Sequence, residues 1–188
     1  MIRNTWLVLA LSAVTALGIS ACTTTATTTG WRGSQAGSTK GGEVGATIAR
    51  FKSRDPSIKS YFEHAYAYAV FPTVGKGGLG VGGAYGDGYV YRHGKMVGKT
   101  TLTQLTVGFQ LGGQAYSEVI FFRDESAFKH FEGGNFEFDA QASAVAATVG
   151  AAANAGYRRG VVVFTLAKGG LMYEATIGGQ KFSYTPVK

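Results

Sequence analysis

The sequence predicts an α+β domain: a mostly antiparallel, barrel-like β-sheet with one or two N-terminal helices and a short helix near residues 124–132. Three observations carry this reading. From Tyr66 onward the apolar residues recur with a period of two, as in half-buried strands. Glycine is the compositional outlier at 29 residues, interleaved with Tyr, Phe, Val and Leu and without a collagen-like period, which indicates many tight turns and close backbone approaches. Helical spacing is confined to Ala46–Ala67 and to the segment after Asp124.

The chain begins with Arg3, an apolar run from Trp6 to Gly18, and small residues before Cys22. This is the order of a secretory signal, and a dozen or so apolar residues are too few to span ~30 Å of hydrocarbon. Ile19-Ser20-Ala21-Cys22 looks like a bacterial lipobox, in which the cysteine thiol is acylated (diacylglycerol, with palmitate among its chains) and becomes the new N-terminus. An ordinary signal peptide with a chance cysteine is the alternative. The expected division is a signal peptide over 1–21, lipidated Cys22 with a Thr/Gly/Ser-rich tether over 22–45, and a folded domain over 46–188. Cys22 is the sole cysteine, so an oxidising compartment is met without disulfides. Lys and Arg number 18 against 11 Asp and Glu, a net charge of +7. Such a balance favours anionic partners, which in a bacterial envelope are phospholipid or lipid A headgroups rather than nucleic acid. Thr23 is not the aspartate that resembles an inner-membrane retention signal, so an outer-membrane lipoprotein facing the periplasm or cell surface is expected.

After the tether, Asp55-Pro56 is an N-cap and first-turn pair, dividing a first helix that runs through Arg54 from a second starting at Pro56. Ile58, Tyr61, Phe62 and Ala65 share one face of the second. Ile48 and Phe51 are flanked by Arg50, Lys52 and Arg54, with Lys59 following; an apolar stripe edged by cations suits either docking on a sheet or a membrane surface. Strands then follow from Tyr66 to Phe71, around Leu79 and Val81, and over Tyr89–Tyr91, with turns expected at Gly86-Asp87-Gly88 and His93-Gly94-Lys95. Leu102–Gln110 and Tyr116–Arg123 read as further strands. Asp124 opens a short helix closed by Gly133-Gly134. Phe136–Ala147 is read as a strand despite its alanines. The end reads as strands from Gly160, from Leu171 and from Lys181, parted by turns at Lys168-Gly169-Gly170 and Gly178-Gly179.

Chemistry is thinly represented. Gly78–Gly83 satisfies GxGxxG, but the glycines run into a strand rather than a helix, so no amide dipoles would face a pyrophosphate. Gly98-Lys99-Thr100 lacks the upstream glycine of a P-loop. His64, His93 and His130 share no metal-ligand spacing, and no nucleophile elbow is present. No cofactor, metal or catalytic residue is nominated, although an unrecognised hydrolase stays a formal rival. Lys76, Arg92, Lys95, Lys99, Arg158, Arg159 and Lys168 lie in or near turns, where they form either an anion-binding rim or a solubilising fringe.

Ala67–Pro72, the glycine run Gly75–Gly83, Gly108–Gln114, Gly133–Phe138 and Lys168–Met172 together resemble the SYLF domain, a lipid-binding family named for actin-associated eukaryotic proteins. The likeness spans roughly Phe62–Tyr184. It implies non-catalytic binding of acidic phospholipid headgroups, aided by an N-terminal basic amphipathic helix whose matching cations are Arg50, Lys52, Arg54 and Lys59. The mechanism expected from the residues is electrostatic attraction by the turn and helix cations, with Ile48 and Phe51 adding apolar insertion into the membrane. Eukaryotic relatives act in the cytosol on phosphoinositides and actin; an envelope protein would meet phosphatidylglycerol, cardiolipin or lipid A instead. A structural or assembly protein of the envelope, acting through protein contacts, is the alternative function.

Overall fold

The computed structural model describes residues 36–134, 137–138, 144–146, 148–177 and 179–188. The expected signal peptide, Cys22 and most of the expected tether lie outside them. Helix α1 spans Ala36–Arg54, ten residues earlier than the sequence suggests. The reason is Val44: with Thr47, Ile48 and Phe51 it completes a stripe at helical spacing, and Val44, Thr47 and Phe51 are all buried. The stripe overrides the low propensity of Gly41, Gly42 and Gly45. A 3-10 turn over Pro56–Ile58 and helix α2 over Lys59–His64 follow, as the Asp55-Pro56 pair predicts.

Among the described residues six strands form one sheet: β1 (Ala67–Arg92), β2 (Lys95–Phe122), β3 (Glu137–Phe138), β4 (Ala144–Ala146), β5 (Val161–Ile177) and β6 (Gln180–Pro186). Helix α3 spans Glu125–Glu132 and α4 spans Ala151–Asn154. Along one side β2 pairs with β1 from Arg92↔Lys95 to Ala67↔Phe122. Along the other it pairs first with β6 (Gly98↔Pro186 to Gln104↔Gln180) and then with β5 (Val107↔Ile177 to Phe122↔Val161). All these pairings are antiparallel; β4 against β5 is parallel. The α+β, mostly antiparallel class holds, but the sheet does not close into a barrel.

Two expected turns are strand interior instead. Gly86-Asp87-Gly88 lies inside β1, and Lys168-Gly169-Gly170 lies inside β5 opposite a register shift at Ala115/Tyr116. The first has a packing cause. The hairpin bends so that the beginning of β1 lies against its later part, and a Cβ on Gly88 would come within 2.6 Å of the Phe71 ring and 2.9 Å of Thr100 Cγ2. A Cβ on Gly86 would meet Val74 Cγ2 at 2.8 Å. These glycines allow contact between layers rather than chain reversal. Replacing Gly88 by Ala is expected to lower stability by about 1–3 kcal/mol through overpacking, read as a lower urea midpoint. Gly75→Ala, where a Cβ meets nothing within 4 Å, is the neutral control.

The bend gives two cores. Phe71, Val90, Leu102, Ile120, Phe122 and Phe182 face inward beneath Phe128 and Phe131 of α3, with Phe122 and Phe131 centroids 4.8 Å apart. On the outer face Val44 and Phe51 of α1, Ile58 and Ala152 cover Val70, Val119, Phe121 and Phe164. Phe62 meets the Phe121 ring edge-to-face at 4.8 Å, and the Tyr61 hydroxyl donates to the Ala155 carbonyl at 2.5 Å.

Candidate functional site

Two turns of the same geometry build the basic end of the domain. In Arg92-His93-Gly94-Lys95 both central residues have positive φ, +50° and +76°. In Arg158-Arg159-Gly160-Val161 the values are +51° and +79°, and Arg158 and Val161 exchange backbone hydrogen bonds at 2.8 and 3.0 Å. Left-handed backbone at both central positions matches the twist of the flanking strands. Tyr66 ties the turns to one pole. Its amide donates to the Phe122 carbonyl at 3.0 Å, in the row that pairs Ala67, Phe122 and Val161. Its ring packs 5.8 Å from His93 and lies 6.0 Å from the Arg92 guanidinium, which donates to its hydroxyl at 3.4 Å. Arg92, Lys95, Arg158 and Arg159 are thus gathered at the pole where β1 begins and β2 ends, and all four are exposed.

Arg123 and Lys129 belong to the same pole and were not singled out from the sequence. Arg123 pairs with Asp124 at 3.1 Å, and Lys129 with Glu125 at 2.9 Å. Asp124 also caps α3, accepting from the Ala127 amide at 2.9 Å; that bond, with the Arg123 contact, holds its carboxyl below the usual carboxylate range. The visible signal for Arg123 was its place at the end of a strand, immediately before a helix cap.

The other nominated cations lie elsewhere. Arg50 bonds Thr47 Oγ1 at 3.1 Å and reaches Ser117 Oγ at 3.5 Å. Lys168 donates to Thr73 Oγ1 at 2.5 Å, and Thr73 donates to Glu43 at 3.3 Å. Since Ser117 donates to the Pro72 carbonyl at 2.7 Å, Arg50 and Lys168 converge on Pro72-Thr73, along the flank. Lys52 lies 4.8 Å over the Phe62 ring; Arg54 and Lys59 are exposed beside the Asp55 corner. Lys99 borders a cleft of about 190 Å³ with Asp87, Thr101 and Ser183.

Three of the nominated residues need correction. Phe51 is fully buried in the outer core, and Ile48 packs against that core, so neither is presented for membrane insertion; the sheet itself claims the apolar stripe of α1. Lys76 is 8% exposed, on the inward side of β1, and does not belong to a surface rim.

Sequence reasoning also missed the far end of the hairpin, where β1 and β2 bend. Leu79, Val81, Tyr85, Leu105, Val107 and Leu111 are all exposed there, although their alternation is the one that half-buried strands show. Among the described residues no group of His, Cys, Asp or Glu could hold a metal ion, and no helix is long and apolar enough to cross a membrane.

The fold and these surfaces define a bent-hairpin α+β domain with a basic pole. Residues 103–185 match the family model described as Las17-binding protein actin regulator, Ysc84. Over that segment the chain is similar to the Ysc84, or SYLF, family. It is also 29% identical over 138 residues to "Beta cell expansion factor A" of Aeromonas veronii, covering 72% of this chain and 52% of the relative. The chain spans about half the length of that curated relative.

Proposed function

We propose that the chain is a bacterial outer-membrane lipoprotein, anchored through acylated Cys22, whose SYLF domain binds anionic phospholipid or lipid A headgroups without chemistry. The observation that carries this is the state of the cations. Arg50, Arg54, Lys59, Arg92, Lys95, Lys99, Arg158, Arg159 and Lys168 are exposed, and among the described residues none of them forms an ion pair. Such cations keep their charge available to an anionic surface, each contributing about 1 kcal/mol near a membrane. The four on the two turns sit on fixed backbone, so little ordering is needed on contact.

The test is co-sedimentation of the processed chain carrying Cys22→Ser with vesicles of phosphatidylcholine alone or mixed with phosphatidylglycerol, cardiolipin or lipid A. Binding is expected to rise with anionic content and fall with salt. Replacing Arg92, Arg158 and Arg159 by Gln is expected to weaken it by about 100-fold. Equal partition onto neutral and anionic vesicles would overturn the headgroup reading. A stable envelope-protein complex indifferent to lipid would replace it with the assembly alternative.

A further inference from the structure

We propose that the bend of the β1–β2 hairpin is a membrane-inserting apex that dips into the acyl region of one bilayer leaflet. The proposal rests on the lipid-surface reading above and assigns the apolar contact to a different element from α1. Five apolar side chains make one patch: Leu79 (77% exposed), Val81 (58%), Leu105 (67%), Val107 (61%) and Leu111 (52%). The ladder sets Leu79 opposite Leu111, Val81 opposite Val107, and Leu105 opposite Gly83, so the patch is continuous across two hydrogen-bonded strands.

The alternation on β2 is inverted relative to a strand made for water. Gln104 and Thr106 are buried, at 4% and 0% exposure, while Leu105 and Val107 point outward. Apolar residues outside and polar residues inside is the pattern of strands that face lipid. Residues 77–86 and 100–117 contain no Asp, Glu, Lys, Arg or His, so these two stretches bring no charge of their own into hydrocarbon. From Leu79 the apolar surface follows β1 for about 20 Å, at roughly 3.3 Å per residue. It ends at Tyr85, whose hydroxyl bonds exposed Asp87 at 2.9 Å, an amphipathic ring where the surface turns wet. That reach suits a single leaflet and falls short of the strands of about 9–11 residues that cross a bilayer.

The occupant is lipid rather than a protein for two further reasons. Exposed Lys181 lies opposite Thr103, two residues from Leu105, and Lys99 lies further along β2. These cations edge the patch where headgroups would sit, at a margin that also holds acidic residues: Asp87, Glu137 at the register position opposite Lys181, and Glu174 at that opposite Gln110. Cys22, the expected acyl attachment point, is 14 residues before the start of α1. At ~3.5 Å per residue this holds the start of the helix within about 50 Å of the membrane whatever path the chain takes. The apex therefore meets lipid at high effective concentration.

The test uses the processed Cys22→Ser chain with Trp31→Phe and Leu105→Trp, which leaves a single tryptophan, at the apex. On anionic vesicles its emission is expected to shift to the blue and to be quenched by lipids brominated on the acyl chain, but not by aqueous iodide. In the otherwise unchanged Cys22→Ser chain, Leu105→Asp with Val107→Asp is expected to lower the vesicle-bound fraction at least about tenfold. Because both positions are exposed, its circular dichroism and thermal midpoint should stay as in the parent. A bound chain whose apex tryptophan is open to iodide and untouched by bromolipid would overturn the apex and leave headgroup binding standing. A chain that binds no vesicle would overturn both. Light scattering that shows a parent dimer made monomeric by the two aspartates would assign the patch to a second copy instead, and overturn insertion.

Discussion

Replacing Asp55 by Ala is expected to cost about 3–5 kcal/mol of stability and to detach α4 from the helical corner. Asp55 is 1% exposed and carries that corner. Its Oδ1 accepts from the Ser57 amide at 3.1 Å, the Ser57 hydroxyl at 2.6 Å and the Gly150 amide at 3.1 Å; its Oδ2 accepts from the Ala152 amide at 2.7 Å. Truncation leaves the Ala152 donor buried without its partner and removes the N-cap of the 3-10 turn. Burial by itself pushes the carboxyl up, but the bonds from the Ser57 hydroxyl and the Ala152, Ser57 and Gly150 amides outweigh it, and the net displacement is downward from 3.8. A folded-state value below the unfolded one means the contribution is present above pH 3.8 and lost as pH falls through the folded value. Urea unfolding at pH 7 checks the loss. Asp55→Asn, which keeps an acceptor, should fall between the variant and the parent.

Glu118→Gln is expected to raise stability at pH 8 by about 3 kcal/mol while changing it little at pH 4. Glu118 is completely buried on β2; burial pushes its carboxyl up from 4.5 to about 7, against a smaller lowering by Gln180, whose Nε2 donates to Oε2 at 3.1 Å. Among the described residues its Oε1, Gln180 Oε1 and Thr100 Oγ1 find no hydrogen-bond partner. Protonation is favoured in the folded chain, so its stabilising effect is complete below pH 4.5 and lost as pH rises through about 7. A carboxyl titrating that far above its unfolded value costs about 3 kcal/mol once ionised. Together with Asp55, this places maximal stability between about pH 4 and 5, on the acid side of the usual range. Thermal midpoints from pH 3 to 9 test it: a flat profile from pH 5 to 8 in the parent, or an unchanged slope in Glu118→Gln, would refute the assignment.

The sequence disclosed those elements whose signals are local. Asp55-Pro56 and Asp124 cap the turns and helices they were expected to cap, and His93-Gly94 turns the chain. Strand continuity was not legible, because Gly86, Gly88 and Gly169 carry the composition of turns while serving close packing or a bend. Which of these a glycine does depends on what lies across from it, here Phe71, Val74 and Thr100, far off in the chain. The same holds for the site. Cations in turns could be named, but that the turns of Arg92-Lys95 and Arg158-Arg159 lie towards one pole follows from Tyr66 and from the bend. The bend also turns a core-like pattern outward: Leu105 and Val107 alternate as in a core strand and lie on the surface, whereas Phe51, on a stripe that suited either a sheet or a membrane, lies in the core.

Both layers of the domain share β2, which bonds β1 along one side and β6 then β5 along the other. No seam separates the layers, because the same 28-residue strand is the middle of each. Disrupting either layer removes hydrogen-bond partners from the other, so neither is expected to melt independently. Cooperativity here is a property of connectivity: one strand supplies the lattice for both layers, and amide exchange along Lys95–Phe122 is expected to report one common opening free energy, apart from fraying at its ends.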